Sequence, residues 1–197
     1  MTARVPERPD AGDAAARLRL FVALELPPSA QAELARWAAG SVGALSELRL
    51  LRAEDLHATL CFLGSLPAGA AGEIVAALGP VAALPAAPLA LGEPLWLPRR
   101  GPRVLAVALA DREGALARTQ SALAAILAER GWYRPEARPF LPHVTVARVR
   151  HGARIRAGDL APPAAMGFPG ARVTLYRSRL GRGGARYEAV GGVELSG

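Results

Sequence analysis

The sequence predicts an α+β protein of two lobes related by a pseudo-two-fold axis, with a cleft between them. Three observations lead there. Segments with strand alternation and segments with helical periodicity are interleaved along the chain. The order strand, helix, strand, motif strand runs twice, although a short strand of the first half has no clear counterpart in the second. Finally, FVALEL at 21 returns as LAVALA at 105, an offset of 84, and His57 returns as His143, an offset of 86. One repetition is a duplication and not a solenoid, which needs three or more units.

Taken in order, residues 1–16 read as a disordered tail and residues 17–197 as a single two-lobed domain. Arg17 to Leu26 (RLRLFVALEL) is a buried strand, broken by Pro27-Pro28. Ser29 is placed to cap a helix to about Ala39, which Gly40 and Gly43 end. A short strand at Leu48 to Leu51 and a turn at Ala53 to Leu56 lead into the strand LHATLCFLG, stopped by Gly64 and Pro67. A helix over Ala70 to Leu78 is closed by Gly79-Pro80, and Val81 to Pro88 is ambiguous. Leu89 to Leu97 reads as a strand bulged at Gly92 or Pro94. A turn at Arg99 to Pro102 precedes the strand Arg103 to Ala110. Asp111 is placed to cap a helix from Glu113 to Arg130, with Leu116, Leu123, Ile126 and Leu127 on one stripe. Trp132 to Pro142 is a loop, PHVTVARV a second motif strand, and His151 to Gly170 mostly loop. Arg172 to Leu180 and Arg186 to Leu195 are strands around a hairpin turn at Gly181 to Gly184.

Composition narrows the class. Of 197 residues 51% are hydrophobic, enough for a packed core and too many for a disordered chain. No apolar run approaches a membrane span, and the N-terminus lacks the apolar stretch of a signal peptide. Cys61 is the single cysteine, which excludes an intrachain disulfide and a thiolate cluster for zinc. These features point to the cytoplasm, away from any membrane, and a monomer is expected. The charge is uneven. Residues 1–98 hold 7 Arg against 10 acids, net −3, and residues 99–197 hold 17 Arg against 7 acids, net +10. A basic half suits a polyanion such as nucleic acid. The complete absence of lysine beside abundant Ala, Gly, Pro and Arg also fits a GC-rich genome, so charge alone leaves the partner open.

The chemistry lies in the two motif strands. Alternation sets His57, Thr59 and Cys61 on one face of the first strand and Ala58, Leu60 and Phe62 on the other. His143 and Thr145 stand in the same relation on the second. Two of only 3 histidines have Thr two places on, in a chain with five Thr; composition alone gives that coincidence odds of roughly one in several hundred. Two imidazoles without metal ligands suit paired general acid and base catalysis, since one ring can be neutral while the other is protonated. Two hydroxyls on the same faces suit the non-bridging oxygens of a phosphate. A cyclic phosphodiester fits between them. The chain has no H-E-x-x-H, G-x-S-x-G or Walker A sequence.

The pair HATL and HVTV resembles the two H-x-T-x motifs of the 2H phosphoesterase superfamily. RLFVALELP, EDLHATLCFLG, LPRRGPRVLAV and RPFLPHVTVAR are similar to blocks of its bacterial RNA 2′,3′-cyclic phosphodiesterases, also called the 2′-5′ RNA ligase family. The resemblance spans Leu18 to Leu195. It implies a bilobal α+β fold with antiparallel sheets, helices outside and the active site in the cleft. It also implies metal-independent, cofactor-free opening of RNA 2′,3′-cyclic phosphate ends to 2′-phosphates, with reversible 2′-5′ ligation as the reverse step. By position, His57 resembles the proton donor to the leaving 3′-oxygen and His143 the proton acceptor that activates water. The near symmetry of the motifs leaves a swapped assignment open. Thr59 and Thr145 match the phosphate-holding threonines, and Arg148 a phosphate-contacting arginine. Strict alternation sets Arg148 opposite His143, so the strand has to end or bend there. Phe62 and Cys61 read as structural and His151 as exposed. Trp96 reads as packed or as a base contact, and Arg134, Arg138 and Arg150 as a basic rim or a solvated loop. Two alternatives stand beside the hydrolase: a binding module that grips a nucleotide or RNA end without turnover, and the same chemistry on a small cyclic-phosphate metabolite.

Overall fold

The computed structural model describes residues 16–181 and 184–197. The expected tail lies outside these but for Ala16, and the middle of the Gly181 to Gly184 turn lies outside them too. Among the described residues, nine strands form one antiparallel sheet around three α-helices. The strands are β1 (Arg17–Glu25), β2 (Leu48–Leu50), β3 (His57–Pro67), β4 (Ala87–Leu97), β5 (Val104–Ala110), β6 (His143–Val149), β7 (Gly167–Gly170), β8 (Arg172–Gly181) and β9 (Gly184–Glu194). The helices are α1 (Pro28–Val42), α2 (Ala70–Ala77) and α3 (Ala115–Glu129).

The sheet order β7-β4-β5-β6-β3-β1-β8-β9 divides at its middle into two half-sheets. The motif strands β3 and β6 are the inner edge of each half and meet through a single pair, Ala58 with Val144. β2 continues the line of β3 by pairing with the far end of β6. The expected two-lobed α+β fold is therefore present, with the duplication visible in the pairing: β1 beside β3 corresponds to β5 beside β6. The short β2 has no strand equivalent in the second half, as the sequence suggested.

The core lies on one face of each half-sheet. Leu20, Val22 and Leu24 of β1 and Leu105, Val107 and Leu109 of β5 alternate into it. α1 buries Ala30, Leu34, Trp37, Ala38 and Val42 and packs on β2, on the turn at Ala53–Asp55 and, across the middle, on β6. α3 buries Leu116, Leu123 and Leu127 and lies against β3, again across the middle.

Several local expectations are corrected. Ser29 does not cap α1; the cap is Pro27, and Pro28 occupies the first helical position, where the missing N–H costs no hydrogen bond. Gly40 lies inside α1, and only Gly43 ends it. Gly64, at φ 75°, does not stop β3, which continues through it and ends at Pro67 as expected. α3 starts at Ala115 after Gly114 at φ 67°, yet Asp111 still serves it, because its Oδ2 accepts from the Ala117 N–H at 2.9 Å. Asp111→Ala is expected to cost about 1 kcal/mol in urea unfolding, the usual worth of such a cap. The stretch read as loop from His151 to Gly170 contains β7, a short edge strand on β4.

Candidate active site

Both motif histidines are oriented by the backbone just before them. The carbonyl of Asp55 lies 2.8 Å from His57 Nδ1, and that of Leu141 lies 2.7 Å from His143 Nδ1. A carbonyl oxygen only accepts, so each Nδ1 carries a proton, which leaves Nε2 as the nitrogen that faces the cleft chemistry. The turn Ala53–Asp55 that supplies the first carbonyl is itself tied down, since Arg52 Nε donates to Asp55 Oδ2 at 2.8 Å.

The register then brings the motifs together. One residue either way from the Ala58–Val144 pair, His57 stands beside Thr145 and Thr59 beside His143. The two imidazoles are diagonal neighbours on the same face, with backbone positions about 7–8 Å apart. The side chains that alternate the other way, Ala58 and Val144, are fully buried. The pairing thus places His57, Thr59, His143 and Thr145 on one face.

Arg148 reaches the same face because β6 carries a bulge. Ala106 pairs with Thr145 and Leu105 with Ala147, so Val146 is an extra residue and the alternation shifts by one. The bend that Arg148 required is this bulge. β3 carries the same device, since Ala23 pairs with Thr59 and Val22 with Cys61, leaving Leu60 extra. This overturns two side-chain placements. Cys61 turns to the core face, and burial pushes its thiol up to about 12; it remains a structural residue. Phe62, expected in the core, turns to the cleft face and is 46% exposed, with the Arg19 guanidinium 4.6 Å from its ring centre. It occupies the position in the first motif that Arg148 holds in the second.

Three aromatic residues that the sequence reading did not associate with the site enclose His57. Phe21 lies 4.8 Å from its ring, Tyr187 4.9 Å in a T-shaped contact and Tyr176 5.9 Å. Burial among them lowers the His57 pKa to about 4; the Asp55 carbonyl opposes this, while the Arg148 charge and His143 add to it. The folded value is below the unfolded value of about 6.5. The stability this neutral ring contributes is therefore complete above pH 6.5 and lost as pH falls toward 4, on the order of 3 kcal/mol. Urea midpoints of wild type and His57→Gln should converge over that window; a gap that stays constant from pH 7 to pH 4 would contradict the assignment.

On the other side of the motif strands opens a cavity of about 920 Å³. Thr59, Phe62 and His143 form one wall, Leu97 and Val104 another, and Tyr133 and Phe140 belong to the loop over it. By register Val104, opposite Arg148, corresponds to Phe21, opposite Phe62. Aromatic rings fill the first half of the cleft, and smaller side chains leave the second half open. Of the remaining candidates, the Trp96 indole donates to the Gly158 carbonyl at 2.9 Å and so packs on the chain. Arg138 pairs with Glu136 at 3.0 Å at the cavity rim, Arg150 donates to the Ser46 carbonyl, and Arg134 and His151 are exposed. Among the described residues no group of three or more His, Cys, Asp or Glu is gathered as a metal site would require.

Fold and site together define a two-lobed α+β protein with a pair of backbone-oriented histidines facing one cleft. The profile of the 2′-5′ RNA ligase superfamily matches residues 26–181, and the chain belongs to that family. It is 28% identical over 187 residues to the RNA 2′,3′-cyclic phosphodiesterase of Geobacillus stearothermophilus, an alignment that takes in 92% of this chain and 58% of that protein. The chain thus spans little more than half the length of that relative. Its fold is similar to that of a Thermus thermophilus protein (TM-score 0.79, 26% identity, 91% of this chain and 99% of the other). It is also similar to E. coli LigT complexed with 3′-AMP (TM-score 0.76, 27% identity, 92% and 100%).

Proposed function

We propose that the protein hydrolyses RNA 2′,3′-cyclic phosphate ends to 2′-phosphomonoesters without a metal. The observation that carries this reading is the diagonal placement of His57 and His143 across the Ala58–Val144 pair, with a threonine beside each ring. A phosphorus held between the rings has a proton acceptor on one side and a proton donor on the other. Neutral His143 takes a proton from water through Nε2, and the water oxygen bonds to phosphorus. The bond from phosphorus to O3′ breaks in line, and His57 delivers a proton from Nε2 to O3′. The product carries a 2′-phosphate and a free 3′-hydroxyl. Thr59 and Thr145 donate to the non-bridging oxygens, and the Arg148 guanidinium offsets their charge. With a 5′-hydroxyl in place of water, the same forward steps form a 2′-5′ linkage, and their reverse cleaves it to the cyclic phosphate.

The pKa of about 4 bears on the donor role. In the empty cleft His57 is neutral at pH 7, so it gains its proton together with the substrate. An anion between the rings favours the imidazolium and counters both burial and Arg148. The decisive experiment is product analysis, in EDTA, on an RNA oligomer ending in a cyclic phosphate. Conversion to the 2′-phosphate supports the reading. A 3′-phosphate product, or tight binding of the end with no conversion, overturns it.

A further inference from the structure

The face that holds the motifs is a ladder of three rows: Thr59 beside His143, His57 beside Thr145, and Arg49 of β2 directly opposite Arg148 of β6. The last row sets two guanidinium-bearing side chains on the face that holds both histidines. The Arg49 guanidinium lies against the backbone of Gly184, where the β8–β9 hairpin reaches over from the other half; a Cβ on Gly184, at φ 108°, would overlap it. Two guanidinium groups are thus held at one end of the ladder, while the other end opens past Phe62 into the largely apolar cavity.

We propose that Arg49, with Arg148 shared between it and the reacting phosphate, binds a second phosphate, the phosphodiester on the 5′ side of the terminal nucleotide, which makes the site one for the end of an RNA chain in preference to a lone nucleoside cyclic phosphate. The inference rests on the hydrolytic reading above and specifies its substrate. The arginine row is one step along the strands from the His57 row, about 7 Å. That is the scale on which successive phosphates follow one another in an extended strand. Guanidinium forks match phosphate oxygens in pairs, and a phosphate between the two meets a positive charge from each strand. It also removes the positive field that Arg148 exerts on His57, so a bound upstream phosphate helps the donor ring take up its proton.

The test measures binding of product analogues to the full chain by calorimetry at low salt. Adenosine 2′-monophosphate carries only the phosphate of the reacting site, and adenosine 2′,5′-bisphosphate adds the upstream one. Wild type is expected to bind the bisphosphate at least tenfold more tightly. Arg49→Gln should reduce that preference to less than about threefold, and Arg49→Lys, which keeps the charge, should retain an intermediate preference. Equal binding of the two ligands by wild type overturns the inference. So does an Arg49→Gln protein that loses affinity for both ligands in the same proportion, because that is how an arginine that only braces the hairpin would behave. Turnover of a cyclic-ended RNA is scored separately. A tenfold preference without turnover keeps the second phosphate site and defeats the hydrolytic reading, whereas turnover without preference does the reverse.

Discussion

Alanine at His57 or at His143 is expected to lower hydrolysis of a cyclic-ended RNA oligomer by about 10²–10⁴ in kcat, the usual worth of one general acid or base. The two losses should not multiply. Donor and acceptor act on the same displacement, so a protein lacking one ring has little left for the other to assist, and the double variant should fall only slightly below the weaker single one. Thr59→Val and Thr145→Val remove a hydrogen bond to the phosphate and keep both rings, so their defects should be smaller. Rates for all five proteins in EDTA check this, with thermal unfolding run in parallel to show that each is folded. Either single alanine variant keeping more than a few per cent of the wild-type rate would remove the paired-histidine mechanism.

The second large effect concerns Phe21, which is 3% exposed and packs on His57, Tyr176 and Tyr187. Phe21→Ala should cost about 3–5 kcal/mol of stability, the range for deleting a buried aromatic side chain. It should also admit water to the His57 ring. The low pKa of that ring comes first from burial, so its titration midpoint in an NMR pH series should rise from about 4 toward the ordinary 6.5. Phe21→Leu separates the two consequences: it keeps the site apolar, so the midpoint should remain low while part of the stability is lost. A midpoint in Phe21→Ala that does not move would show that the aromatic enclosure is not what holds the ring neutral.

Much of this arrangement was legible in the sequence, for identifiable reasons. The motif strands stand out because their apolar residues alternate with His and Thr, and both crossover helices show an apolar stripe with a three-to-four-residue repeat. The bulges at Leu60 and Val146 were not legible as such. An extra residue in a strand leaves no mark on composition, and in both motifs it lies in a run of consecutive apolar residues, Leu60 to Leu63 and Val146 to Ala147. Arg148 nevertheless signalled a break in the pattern, because a guanidinium has no place in a core. Phe62, at the matching position, gave no such signal, since a phenyl ring suits either face. Arg49 was missed because β2 has three residues, too few for alternation to be read. The strand β7 was hidden by its sequence, GFPG, in which Gly and Pro mark turns; it survives as an edge strand, where a missing N–H need not break a ladder. Tyr176 and Tyr187 lie on strands that were read correctly, but nothing local ties them to a histidine more than a hundred residues earlier.

The crossing of α1 and α3 has a consequence for how the duplication holds together. Each helix packs on its own half and also reaches across the middle, α1 to β6 and α3 to β3, so the two halves are intertwined rather than merely apposed. The strands that carry His57 and His143 lie side by side between the two crossings, so a helix from each half clasps the seam on which the cleft is built.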